Sequence, residues 1–117
     1  MLFRSAEALL QNKPDSALTI LQQLKSEGGQ AEQARYALLY SEALDKNHIK
    51  VTNDSLIRQA WSHYKHHPKD LRRQCKTLYY WGRVKLRAGD KPGALRLFLE
   101  IEEKDRKSTR LNSSHRT

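Results

Sequence analysis

At 117 residues the chain has room for one domain with a modest core. Its 22 Lys and Arg outnumber 13 Asp and Glu for a net charge of +9, while 38% of its residues are hydrophobic, which suits thin helical layers better than a deep globular centre. No stretch approaches the roughly 20 apolar residues that cross a bilayer, the opening LFRSAEALL is too short and polar for a secretory signal, and Cys75 stands alone, which excludes an internal disulfide framework.

Ala, Leu, Gln, Glu, Lys and Arg dominate, with only three prolines and five glycines between them, so the composition predicts an all-α fold. The periodicity predicts six helices. SAEALLQN (5–12) leads through Lys13-Pro14-Asp15 to SALTILQQLKSE (16–27), which runs into the double stop Gly28-Gly29. QAEQARYALLYSEALDK (30–46) is the longest periodic stretch, broken by NHIKVTN. Asp54 is placed to cap SLIRQAWSHYKHH (55–67), which Pro68 ends. DLRRQCKTLYYWGRVKLRA (70–88) stops at Gly89-Asp90, and KPGALRLFLEIEEK (91–104) is the sixth. Pro14 and Pro92 stand at helix starts, where a missing N–H costs nothing.

These segments repeat in pairs. Ala60 and Ala94 lie 34 residues apart, and each is followed four positions later by an aromatic, Tyr64 and Phe98. Ala17 with Leu21 gives the same small-then-large pair, and the longer interval to Ala60 falls in the DKNHIKVTN connection. In the first helices of the pairs, Tyr36-Ala37-Leu38-Leu39 aligns with Tyr79-Tyr80-Trp81-Gly82.

Trp81-Gly82, Ala88-Gly89-Asp90, Ala94-Leu95 and Phe98 resemble the tetratricopeptide repeat, and KPDSALTIL (13–21) and ARYALLYSEALDK (34–46) look like its bacterial variety. The resemblance covers residues 1–104 and implies an α-solenoid of about three antiparallel helix hairpins acting as a protein- or peptide-binding scaffold. In it, Gly82 and Ala94 let two backbones approach, Gly89 supplies the turn and Phe98 fills the gap beside them. The second repeat departs at Leu39, where Gly or Ala is usual. Arrays of this kind cover their apolar faces with neighbours, so a longer parent is expected on both sides. Related bacterial proteins often join such repeats to a membrane segment and a signalling or DNA-binding module, which makes a regulatory role the expectation.

Chemistry has little footing. GDKPG lacks the GxxxxGK[ST] spacing of a phosphate-cradling loop. Ser, His and Asp are too scattered for a triad, and His63 and His67 come without an HExxH or CxxC pattern. Cys75 lies on the apolar stripe Leu71–Cys75–Leu78–Gly82–Leu86 and reads as a packing residue. The expectation is a non-enzyme without cofactor or metal.

Charge says more. Residues 58–91 hold ten cations against Asp70 and Asp90, and Arg72, Lys76, Arg83 and Arg87 fall within about 60° on one helix at 100° per residue. By the resemblance, Lys76, Tyr79, Arg83 and Arg87 face the concave groove, with Tyr36 and Tyr40 one repeat earlier. Cationic forks and aromatic plates suit an acidic or carboxylate-ended peptide. Two alternatives stand beside it: a solvated basic face without a ligand, and nucleic-acid binding through 58–91, for which no recognition-helix motif is present.

From Asp105 the helical period lapses. DRKSTRLNSSH resembles a translated sequencing adapter, so residues 105–117 are expected to be a non-native disordered tail. Arg106, Lys107, Arg110 and Arg116 against Asp105 belong to it, leaving 18 basic and 12 acidic residues, a net of +6, in 1–104.

Overall fold

The computed structural model describes the backbone of residues 2–24 and 28–115, and the side chains of 3–24 and 28–107. Six helices follow in order: α1 Leu2–Asn12, α2 Pro14–Gln23, α3 Gln30–Lys46, α4 Ser55–Tyr64, α5 Leu71–Arg87 and α6 Lys91–His115. No strand occurs among the described residues, and no helix is long and apolar enough to cross a membrane. Pro14 and Pro92 do open α2 and α6. Gly89 takes φ +86°, a left-handed conformation that glycine adopts without a Cβ penalty, and so turns α5 into α6. The Asp90 carboxylate then accepts from the Gly93 N–H at 3.0 Å and caps the new helix.

The helices pair as three hairpins, α1–α2, α3–α4 and α5–α6, stacked side by side, and the first helices of the pairs also meet directly, α1 with α3 and α3 with α5. This is an all-α helical repeat. Its radius of gyration of 15.0 Å exceeds the roughly 13 Å of a compact 100-residue domain, as expected when each hairpin touches only its neighbours. α1, α3 and α5 form one layer, here called the inner layer; α2, α4 and α6 form the other.

Two apolar clusters hold the stack. In the first, Ala6 and Leu10 of α1, Ala17, Leu18 and Leu21 of α2, and Leu39 and Ala43 of α3 are buried together. The second joins Ala34, Ala37 and Leu38 of α3 to Ile57, Ala60 and Tyr64 of α4 and Tyr80 of α5. Ala17, Ala60 and Ala94 are all at most 1% exposed, so the small positions of the repeat lie at close helix contacts. Gly82 packs against Phe98: a Cβ built at Gly82 would lie 2.4 Å from the Phe98 ring.

Tyr36, Leu39, Tyr40, Ala43 and Leu44 of α3 pack onto the first hairpin's cluster, and Tyr80 and Trp81 of α5 pack onto the second.

Several boundaries differ from the sequence reading: α1 opens at Leu2 ahead of Ser5, and α2 runs Pro14–Gln23, the expected end at 25–27 lying outside the described residues. The Asp54 side chain makes no cap bond to α4; Asn53 Oδ1 accepts from the Ser55 N–H at 2.7 Å instead. The Asp54 carboxylate turns to α5, accepting from Trp81 Nε1 at 3.1 Å and lying 3.6 Å from Lys85 Nζ. α4 ends at Tyr64, ahead of His67, and the Tyr64 carbonyl accepts from the His67 N–H at 2.9 Å and from the buried Gln74 side chain of α5 at 2.8 Å. Finally, α6 continues past Lys104 to His115 rather than giving way to a disordered tail at Asp105. No Gly or Pro interrupts it after Gly93, and Glu102–Arg106 and Glu103–Lys107 pairs one turn apart support the extension.

Candidate binding surface on the inner helical layer

Lys76, Arg83 and Arg87 lie together on α5 where it faces α3, and each is paired with a carboxylate there. Glu42, 1% exposed, holds Lys76 Nζ at 2.7 Å and Lys46 Nζ at 3.6 Å. The Asp45 carboxylate receives Arg83 through Nε and Nη2, each at 3.3 Å, and also receives Arg87. Arg87 Nη1 donates to the Ile49 carbonyl at 2.9 Å, fastening the 47–54 connection, in which His48 takes a left-handed φ of 59°.

These ties alter the local electrostatics. Hydrogen bonding to Asp45 raises the Arg83 pKa. Burial, and then the nearby charges of Glu42 and Asp45, push the Tyr80 phenol up, so it stays neutral. Two carboxylates thus offset much of the positive strip that α5 shows in the sequence.

The expected tyrosines separate. Tyr79 is 44% exposed on α5, its ring 6.1 Å from Phe98. Tyr36 and Tyr40 are half-buried against the first hairpin, edge to face with each other at 5.6 Å. The Tyr36 hydroxyl donates to the Leu21 carbonyl at 2.9 Å, and burial, with Tyr40 beside it, raises its pKa. They pack one hairpin onto the next and do not join Tyr79 in one aromatic row.

Further along the layer, toward the start of α5, a recess of about 60 Å³ opens between α1, α3 and α5, lined by Glu7, Arg35, Leu38, Leu39, Arg72, Arg73 and Lys76. Glu7 accepts from Arg35 Nη2 at 3.2 Å across α1 and α3. Asp70, the N-cap of α5, accepts from the Arg73 N–H at 3.3 Å and from its Nη1 at 3.0 Å, which raises the Arg73 pKa. Arg72 is exposed and makes no ion pair among the described residues.

Arg35, Glu42 and Asp45 were not singled out by the sequence. Glu42 and Asp45 lie three residues apart on α3, and their role shows only once α5 stands beside them. At the α4 end, His63 and His67 stack at 4.1 Å, with His67 Nδ1 2.9 Å from the His63 carbonyl. Cys75 is partly buried and its thiol pKa is raised by that burial, which keeps it a protonated packing residue at neutral pH.

Comparison with known proteins gives one family: residues 1–27 match the tetratricopeptide repeat. No curated protein and no solved structure matches the chain. The match falls on the first hairpin, so the family signal and the small-residue packing of the third hairpin mark opposite ends of the stack.

Proposed function

We propose that this chain, a helical repeat of the tetratricopeptide type, is an interaction scaffold that docks an acidic peptide along α1, α3 and α5 within a bacterial regulatory or signalling protein. The observation that carries the reading is the convergence of the three first helices into one layer bearing cations and the exposed Tyr79. The opposite layer buries Ala17, Ala60 and Ala94 against its partners. Tyr79 supplies a flat apolar contact. Lys76, Arg83 and Arg87 form the groove wall, largely neutralised by Glu42 and Asp45, with the less paired Arg35, Arg72 and Arg73 beside them. Binding is an equilibrium event without a chemical step.

Among the ten cations of 58–91, Arg58, Arg73, Lys76, Arg83, Lys85 and Arg87 each have a carboxylate partner. That internal pairing reduces the unneutralised charge on which nucleic-acid binding draws, and it reduces the pull on an acidic peptide in the same way. An acidic peptide carrying a photoreactive group tests the reading. Labelling of α1, α3 and α5 is expected. Labelling confined to α2, α4 and α6, or duplex DNA binding with a steep salt dependence, would overturn it.

A further inference from the structure

From the recess between α1, α3 and α5 we infer a site for a phosphoryl group, carried by the docked peptide as a phosphorylated side chain. The inference rests on the inner layer being the docking surface and adds the chemistry of the anchoring group.

Four cations face this one recess, Arg35, Arg72, Arg73 and Lys76, with Glu7 as the only acid in its lining. The neighbouring Glu42 and Asp70 neutralise Lys76 and Arg73 in part. Counting all seven groups leaves a local charge of about +1, which admits an anion without separating a phosphomonoester of charge about −1.5 to −2 from a carboxylate. Geometry makes the distinction. A phosphoryl group presents three acceptor oxygens, and guanidinium groups present planar forks that match them. Arg72 has its whole fork uncommitted among the described residues. Arg73 commits Nη1 to Asp70, leaving Nε and Nη2. Arg35 commits Nη2 to Glu7, and its Nε is buried without an acceptor.

That orphaned donor is the second observation. A buried guanidinium N–H without an acceptor is unfavourable, and a small rotation of Arg35 toward an oxyanion in the recess would satisfy it. The recess, at about 60 Å³, holds several water-sized groups, enough for the phosphoryl oxygens and too little for a nucleotide base. Leu38 and Leu39 form its apolar lining, which lowers the local dielectric and strengthens the ionic contacts.

The test uses the full chain and three acidic peptides identical except for phosphoserine, aspartate or serine at one central position, with binding followed by fluorescence anisotropy. The phosphoserine peptide should bind about tenfold more tightly than the aspartate peptide, and millimolar inorganic phosphate should remove that difference. Arg72→Lys, which keeps charge but loses the fork, should weaken only the phosphoserine peptide, by about threefold to tenfold. Arg96→Lys, the same replacement on α6, should leave the binding of all three peptides unchanged. Equal affinity for phosphoserine and aspartate, or an unchanged preference in Arg72→Lys, overturns the phosphoryl site while leaving the docking surface standing. If none of the peptides binds, the docking surface itself fails and the phosphoryl site with it.

Discussion

The two ends of the inner layer carry the same kinds of cation to different effect. Where the later part of α3 meets α5, Glu42 and Asp45 take up Lys76, Arg83 and Arg87, and the side chains become inter-helical ties. Nearer the starts of these helices, Arg35, Arg72 and Arg73 share fewer acids, and a recess opens between them. A row of cations on one helix is therefore no guide to a ligand site until the facing helix is known. What matters is the charge left after the neighbouring hairpin has paired.

The largest expected effect comes from breaking the tied end. Lys76→Ala leaves the Glu42 carboxylate, 1% exposed, with only Lys46 at 3.6 Å. Removing one partner of a buried pair costs about 3–5 kcal/mol, and because Lys76 is itself 28% exposed, a loss near the lower bound is expected in urea unfolding. Lys76→Ala combined with Glu42→Leu should recover most of it. Next, Gly82→Ala should cost about 1–3 kcal/mol through overpacking on Phe98, whereas Ser41→Ala should stay within about 0.5 kcal/mol as an ordinary surface-type change. A larger loss at Ser41 than at Gly82 would contradict the close packing of Gly82 on Phe98.

A milder change sharpens the contrast between the ends. Asp45→Asn releases Arg83 and Arg87, so the tied end should come to resemble the open one, and an acidic peptide should bind several-fold more tightly at low salt. The smallest effect concerns pH. Burial, and then the charge of His67, lower the His63 pKa, with Asp70 acting in the opposite sense. The unfolded chain thus takes up the proton first, and folded stability falls as pH drops through the ordinary histidine value of about 6.5. His63→Gln should flatten that slope slightly in thermal melts at pH 5.5 and 7.5.

The sequence was a good guide to whatever has a local cause. Pro14 and Pro92 start helices, Gly89 makes a turn, and Ala17, Ala60 and Ala94 are buried because each sits one helical turn before a large residue. The charge ties were not legible in this way. Glu42 and Lys76, or Asp45 and Arg83, are far apart in the chain and meet only after α3 and α5 are set side by side. The expected end of the sixth helix at Lys104 is not its end in the fold: α6 runs on to His115, and no Gly or Pro after Gly93 interrupts it.

The most direct measurement is an NMR titration with an acidic peptide, following the guanidinium Nε–H signals. Shifts should be largest at Arg35, Arg72 and Arg73, with Arg83 and Arg87 nearly still because Asp45 already holds them. Dominant shifts at Arg83 and Arg87, with Arg35 and Arg72 unmoved, would contradict the claim that pairing between neighbouring hairpins decides where the inner layer binds.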